Sequence, residues 1–119
     1  MSKSRRPTLE HSPLISLVVI GGPDALIEAA KHVTETATNA RVVATDLPSA
    51  ATKVARARPF AIVLSEEIYA FDSAEFDALA RDVRAELIAL PTDGVPVKTL
   101  QQRLLPLVVE AFRAHFRDS

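Results

Sequence analysis

From Pro13 onward the apolar positions alternate between two spacings. Leu14-Ile15-Ser16-Leu17-Val18-Val19-Ile20 is a nearly continuous apolar, β-rich run halted by Gly21-Gly22. A run with no polar side fits a strand covered on both faces, as in a parallel sheet. Pro23 then stands at the first helical position, with Asp24 in the favourable N-terminal turn. Leu26, Ala29, Ala30 and Val33 follow at helical spacing, which predicts a helix over 23–37.

The unit repeats. Arg41-Val42-Val43-Ala44-Thr45 reads as a short strand, followed by a turn at Asp46-Leu47-Pro48 and a small helix over 48–57 that Pro59 ends. Phe60-Ala61-Ile62-Val63-Leu64 is a third strand without a polar side. Asp72 with Glu75 resembles a capping box, opening a helix over about 73–85 that buries Phe76, Leu79, Ala80 and Val83. Glu86-Leu87-Ile88-Ala89-Leu90 is a fourth strand, halted by Pro91. Thr99 with Gln102 forms a second capping box for a helix to about residue 117, in which Pro106 should bend or loosen the first turns. A fifth strand at Val95-Pro96-Val97 would be confined to a sheet edge by its proline.

Strands alternating with helices at this spacing give right-handed crossovers and a parallel sheet layered between helices. The expected fold is a flavodoxin-like, three-layer α/β domain over residues 13–119, with four strands or five, mostly parallel, and a shortened link between strand four and the last helix. Residues 1–12 carry three basic residues and no periodicity, and are expected to form a flexible tail.

Composition narrows the function more than the fold. The 119 residues are 48% hydrophobic, and 14 Lys+Arg balance 15 Asp+Glu to a net charge of −1. That balance gives no general attraction to nucleic acid or to an anionic membrane. With no cysteine, a disulfide scaffold, a zinc–thiolate site and thiol catalysis are all excluded. No apolar run approaches the roughly 18–20 residues of a membrane span, and the N-terminus lacks a signal-peptide core, so the expected location is cytoplasmic.

In an open parallel sheet, ligands bind beyond the carboxyl ends of the strands. Gly21, Gly22 and Asp24 fall there, as do Thr45, Asp46, Ser65, Glu66 and Glu67, and Pro91, Thr92, Asp93 and Gly94. The glycine pair entering a helix would cradle a phosphate only in competition with Asp24, and it lacks both dinucleotide and P-loop fingerprints. Ser65 has no nucleophile-elbow surround, and His11, His32 and His115 lie in the tail and on helices, so no serine-hydrolase site is expected. Glu66, Glu67 and Asp93 read as solvated turn residues rather than a hard-metal site. No catalytic residue, metal or cofactor is assigned. The last helix is apolar over well over a third of its circumference, more than one packed stripe needs. Val109, Phe112 and Phe116 are therefore candidate interface anchors, unless the helix packs on the sheet with one side and on a neighbouring helix with another.

The order of elements resembles the receiver domain of response regulators over most of residues 14–117. Val18 to Leu26 looks like that family's first strand, acidic pair and helix start; Arg58 to Ser65 looks like the stretch ending in the phosphoacceptor aspartate; Val97-Lys98 before Thr99-Leu100 looks like its lysine and last helix. The resemblance places the magnesium-holding acidic pair at Ile20 and Gly21 and the phosphoacceptor at Ser65, none of which can do that work. Lys98, with Thr92 or Pro91 at the hydroxyl position, is all that would survive of the site. Five residues separate Thr92 from Lys98, where receivers place another helix and strand. The implied protein is a degenerate pseudo-receiver.

A second resemblance is to the small F subunit of V-type and archaeal-type rotary ATPases, also a four-stranded α/β domain with a short loop before its last helix. Ile20-Gly21-Gly22 is similar to its first turn, and Phe60 to Ile68 looks like its third strand and acidic turn. The expected function is a non-enzymatic, phosphorylation-independent adaptor that binds partner protein, or a second copy as a homodimer, through the C-terminal helix. The alternatives are an F-like stalk subunit and a phosphate-binding sensor using Gly21, Gly22 and Thr92.

Overall fold

The first apolar run folds as β1 (Ser16–Ile20), buried at all five positions, and it forms the interior of the sheet rather than an edge. The computed structural model describes residues 15–117, so the expected tail at 1–12 lies outside the described residues. After β1 come α1 (Asp24–Ala37), β2 (Arg41–Thr45), α2 (Ala50–Ala57), β3 (Ala61–Ser65), α3 (Glu66–Phe71), α4 (Ser73–Val83), β4 (Glu86–Leu90) and α5 (Val97–Arg117). The strands pair in the order β2-β1-β3-β4, all parallel, with Val18 beside Val43 and Ile62, and Ile62 beside Leu87. This is an α/β fold consistent with a flavodoxin-like architecture. Among the described residues no helix is long and apolar enough to cross a membrane.

Strand side chains alternate between faces, and the core divides accordingly. Leu17, Val19, Ala61, Val63, Ile88 and Leu90 meet Leu26, Ala29, Ala30 and Val33 of α1 and Leu100, Leu104, Val108 and Ala111 of α5. Val18, Ile20, Ile62 and Leu64 meet Ala50 and Val54 of α2 and Phe76 and Ala80 of α4. Both faces of β1 and β3 are thus covered, which is why neither strand has a polar side. Burial of each leucine, valine or isoleucine at these positions contributes about 1.5–3 kcal/mol.

The element boundaries show which local signals the chain uses. Pro23 is the residue before α1 rather than its first; extended at ψ 173°, it accepts the amides of Leu26 and Ile27 on its carbonyl. Its bond to Gly22 is cis. The helix expected over 48–57 begins only at Ala50, after a turn in which the Asp46 carboxylate accepts the Ser49 amide at 2.9 Å. Asp72 does precede α4, but its backbone carbonyl rather than its side chain takes the Glu75 and Phe76 amides. That helix stops at Val83 because Arg84 turns left-handed at φ 60°. The Thr99–Gln102 capping box is not used: α5 begins two residues earlier, and the Leu100 amide bonds to the Pro96 carbonyl. Residues 95–97 form no fifth strand, since Val97 already belongs to α5. Pro106 leaves α5 unbroken and lies on its exposed side.

Candidate functional site

The carboxyl ends of the four strands bring together most of the positions singled out by the expected likeness to receivers. Ile20 is aligned with Thr45 and with Leu64, so Gly21 emerges beside Ser65; Leu90 is aligned with Ser65, so Pro91 and Thr92 emerge on its other side. Ile20, Ser65 and Thr92 are buried. Lys98 does not join them as a strand-end residue: it is exposed in the first turn of α5.

What fills this end of the sheet is apolar. Ser65 ends β3 and caps α3 directly, its hydroxyl accepting the Ile68 amide at 3.2 Å. The tight turn swings the Ile68 side chain over Gly21. A Cβ on Gly21, whose φ is +73°, would collide with Ile68 Cδ1. The Gly21 amide donates to the Thr45 carbonyl at 2.8 Å, which ties the first two strand ends together and commits a donor that a phosphate cradle would need. His115 sits at the other end of the sheet, its ring 6.4 Å from that of Phe60, which precedes β3. A five-residue strand spans about 16 Å, so this imidazole is far from the Ser65 hydroxyl. Glu66, Glu67 and Asp93 are exposed, and among the described residues no three His, Asp or Glu side chains are grouped to hold a metal.

The short helix α3, expected only as an acidic turn, is the main element missed from the sequence. Its signal was present: serine followed by two glutamates is an N-cap with acid in the first turn. α3 is pinned to α4 by the Tyr69 hydroxyl, which donates to Asp77 Oδ1 at 2.9 Å. That hydrogen bond, then partial desolvation, then the Asp77 charge raise the Tyr69 pKa above its ordinary value.

A second candidate site lies on α5. Its buried stripe, Leu100, Leu104, Val108 and Ala111, faces the sheet. One flank faces α1: His32, Val33, Thr36 and Ala37 share a cavity of about 400 Å³ with Gln101, Gln102 and Leu105. Further along this flank, Thr36, Ala37, Thr38, Asn39, Phe112 and Phe116 line a groove of about 550 Å³. The α1 terminus is held in shape there by Thr38, whose amide and hydroxyl both donate to the Thr34 carbonyl, at 3.0 and 2.6 Å. Three rings step outward from the core: Phe60 is buried, Phe112 meets it edge-on at 5.3 Å, and Phe116 meets Phe112 edge-on at 4.9 Å. Phe116 is 51% exposed. Of the three expected anchors, Val109 and Phe112 are half-buried, and Phe112 belongs partly to the core. Contact with α1 thus covers part of the helix's excess apolar surface, while Leu105, Leu107 and Phe116 stay exposed.

Comparison of the chain with known protein families, with curated proteins and with solved structures found no match.

Proposed function

We propose that the protein is a non-catalytic, receiver-like module that binds a partner protein without phosphorylation. The observation that supports this reading is the substitution of chemistry by packing at the strand ends. Where a receiver needs carboxylates to hold a cation and accept a phosphoryl group, this chain has Ile20, Gly21 and Ser65, closed over by Ile68. The docking face is the groove where α1 ends against Phe112 and Phe116, because the exposed Phe116 ring is backed by half-buried Phe112, itself packed on buried Phe60, which preorganises it as an anchor. Incubation with acetyl phosphate and magnesium is expected to leave the mass of the protein unchanged. A single phosphorylated species would overturn the reading. Phe116→Asp is expected to abolish partner capture without altering the unfolding curve. Phe112→Asp does not serve that purpose: its ring packs on buried Phe60, and the substitution is expected to destabilise the fold itself.

A second reading, an F-like stalk subunit of a rotary ATPase, is favoured by one feature: the six residues 91–96 pass from β4 to α5 with neither the helix nor the strand a receiver inserts there. Copurification with a large ATPase assembly is the outcome that would prefer it.

A further inference from the structure

The flank of α5 opposite Phe116 borders β4, one of the two edge strands of the sheet. Among the described residues β4 pairs with β3 alone, in unbroken register from Glu86 to Leu90. The Glu86 amide donates to the Phe60 carbonyl at 3.0 Å, so Glu86 faces β3. By the alternation of a parallel strand, the amides and carbonyls of Leu87 and Ala89 point away from the sheet. Edge strands are commonly blunted by charged side chains, proline or a bulge; β4 carries one exposed charge, Glu86 at its first residue, and no lysine, proline or bulge from Leu87 to Leu90. Beside it runs a groove of about 300 Å³ between residues 86–89 and Leu107, Glu110 and Ala111 of α5. Leu107 is 43% exposed.

We infer that this edge binds a second copy of the chain, β4 pairing antiparallel with its counterpart about a two-fold axis normal to the sheet and centred on Ile88. The occupant follows from self-complementarity, which a two-fold contact requires. In that register Leu87 of each copy lies opposite Ala89 of the other, so their outward amides and carbonyls exchange hydrogen bonds. Glu86 falls opposite Leu90, which keeps the two Glu86 carboxylates at opposite ends of the ladder. α5 rests on β3 and β4. With strands about 4.8 Å apart, the axis brings the two α5 helices to roughly 10 Å, a normal helix-packing distance. The helices run antiparallel there, Leu107 against Leu107. Arg103, four residues before Leu107, then faces Glu110 of the second copy, three residues after it, and the pair occurs twice. Arg103, Leu107 and Glu110 share one side of the helix. The exposed intrachain ion pair of Glu110 with Arg117, at 3.5 Å, is too weak to hold the carboxylate back. The product is one continuous eight-stranded sheet.

This association is independent of the adaptor reading, because Phe116 lies on the other flank and either surface can fail alone. Sedimentation equilibrium of the full chain across the micromolar range is expected to give a species of twice the 12.9 kDa chain mass. Ala89→Pro removes an outward amide without touching the ladder to β3, and Leu107→Lys places a charge on the axis; both are expected to give monomers with an unchanged circular dichroism spectrum. Arg103→Glu is expected to weaken the dimer by about tenfold or more, and Arg103→Glu combined with Glu110→Arg to restore it. A monomer at every concentration overturns the inference, as does a dimer indifferent to both Ala89→Pro and Leu107→Lys. If Ala89→Pro does not fold, Leu107→Lys and the charge exchange decide the matter.

Discussion

Replacing Gly21 by alanine tests whether the strand-end crevice is an apolar joint. Two costs arise there. A side chain at φ +73° is held in the left-handed region, at about 1–2 kcal/mol. The new Cβ also meets Ile68 Cδ1, the far end of a flexible, half-buried side chain, and turning that methyl aside costs about 0.5–1.5 kcal/mol. Gly21→Ala is therefore expected to lose about 1.5–3.5 kcal/mol in urea denaturation at unchanged m-value. Ile68→Ala alone removes a half-buried side chain, a loss of about 1–2 kcal/mol. In the double variant the collision disappears while the backbone cost remains. The two losses should therefore fall short of additivity by about 0.5–1.5 kcal/mol. Additivity within about 0.5 kcal/mol would mean that Ile68 does not bear on Gly21, and the picture of a closed crevice would be wrong.

Two further outcomes follow from single groups. Thr34 is fully buried on α1 with no hydrogen-bond partner for its hydroxyl among the described residues, so Thr34→Val is expected to raise stability by about 1 kcal/mol in thermal unfolding; a loss would show that the hydroxyl is satisfied. Tyr69 has its pKa raised by the hydrogen bond to Asp77, so the folded state holds the phenolic proton more tightly than the unfolded chain. Its contribution is present below about pH 10 and fades as pH rises through the folded-state value. The stability gap between the natural protein and Tyr69→Phe should hold constant from neutral pH and narrow in alkali, and a gap that widens there would contradict the assignment.

Much of the layering is legible in the chain because burial on two faces erases polar alternation. β1 and β3 announce themselves this way, and β2 and β4 end where Asp46 and Pro91 say they should. α3 was not legible as a helix because six residues are too few to show a period, and its apolar pair Ile68-Tyr69 stands behind two glutamates. The last helix shows the limit in another form. Its apolar surplus is plain in the sequence, but whether α1 or another molecule covers it depends on where Thr36 to Asn39 come to rest. Likewise, absent carboxylates at Ile20, Gly21 and Ser65 can be read from the residues alone. That the space is filled by Ile68 depends on a turn that only the folded backbone supplies.

The strand order has a consequence for how the protein is made. β1 precedes the other three strands in the chain yet takes an interior place, between β2 and β3. During synthesis its five-residue apolar stretch leaves the ribosome before either neighbour exists, and its second flank waits until residues 61–65 have emerged. Through that interval an unshielded hydrophobic strand competes for any other chain within reach, so yield in the cell depends on translation pace and chaperone supply as well as on the stability of the finished sheet.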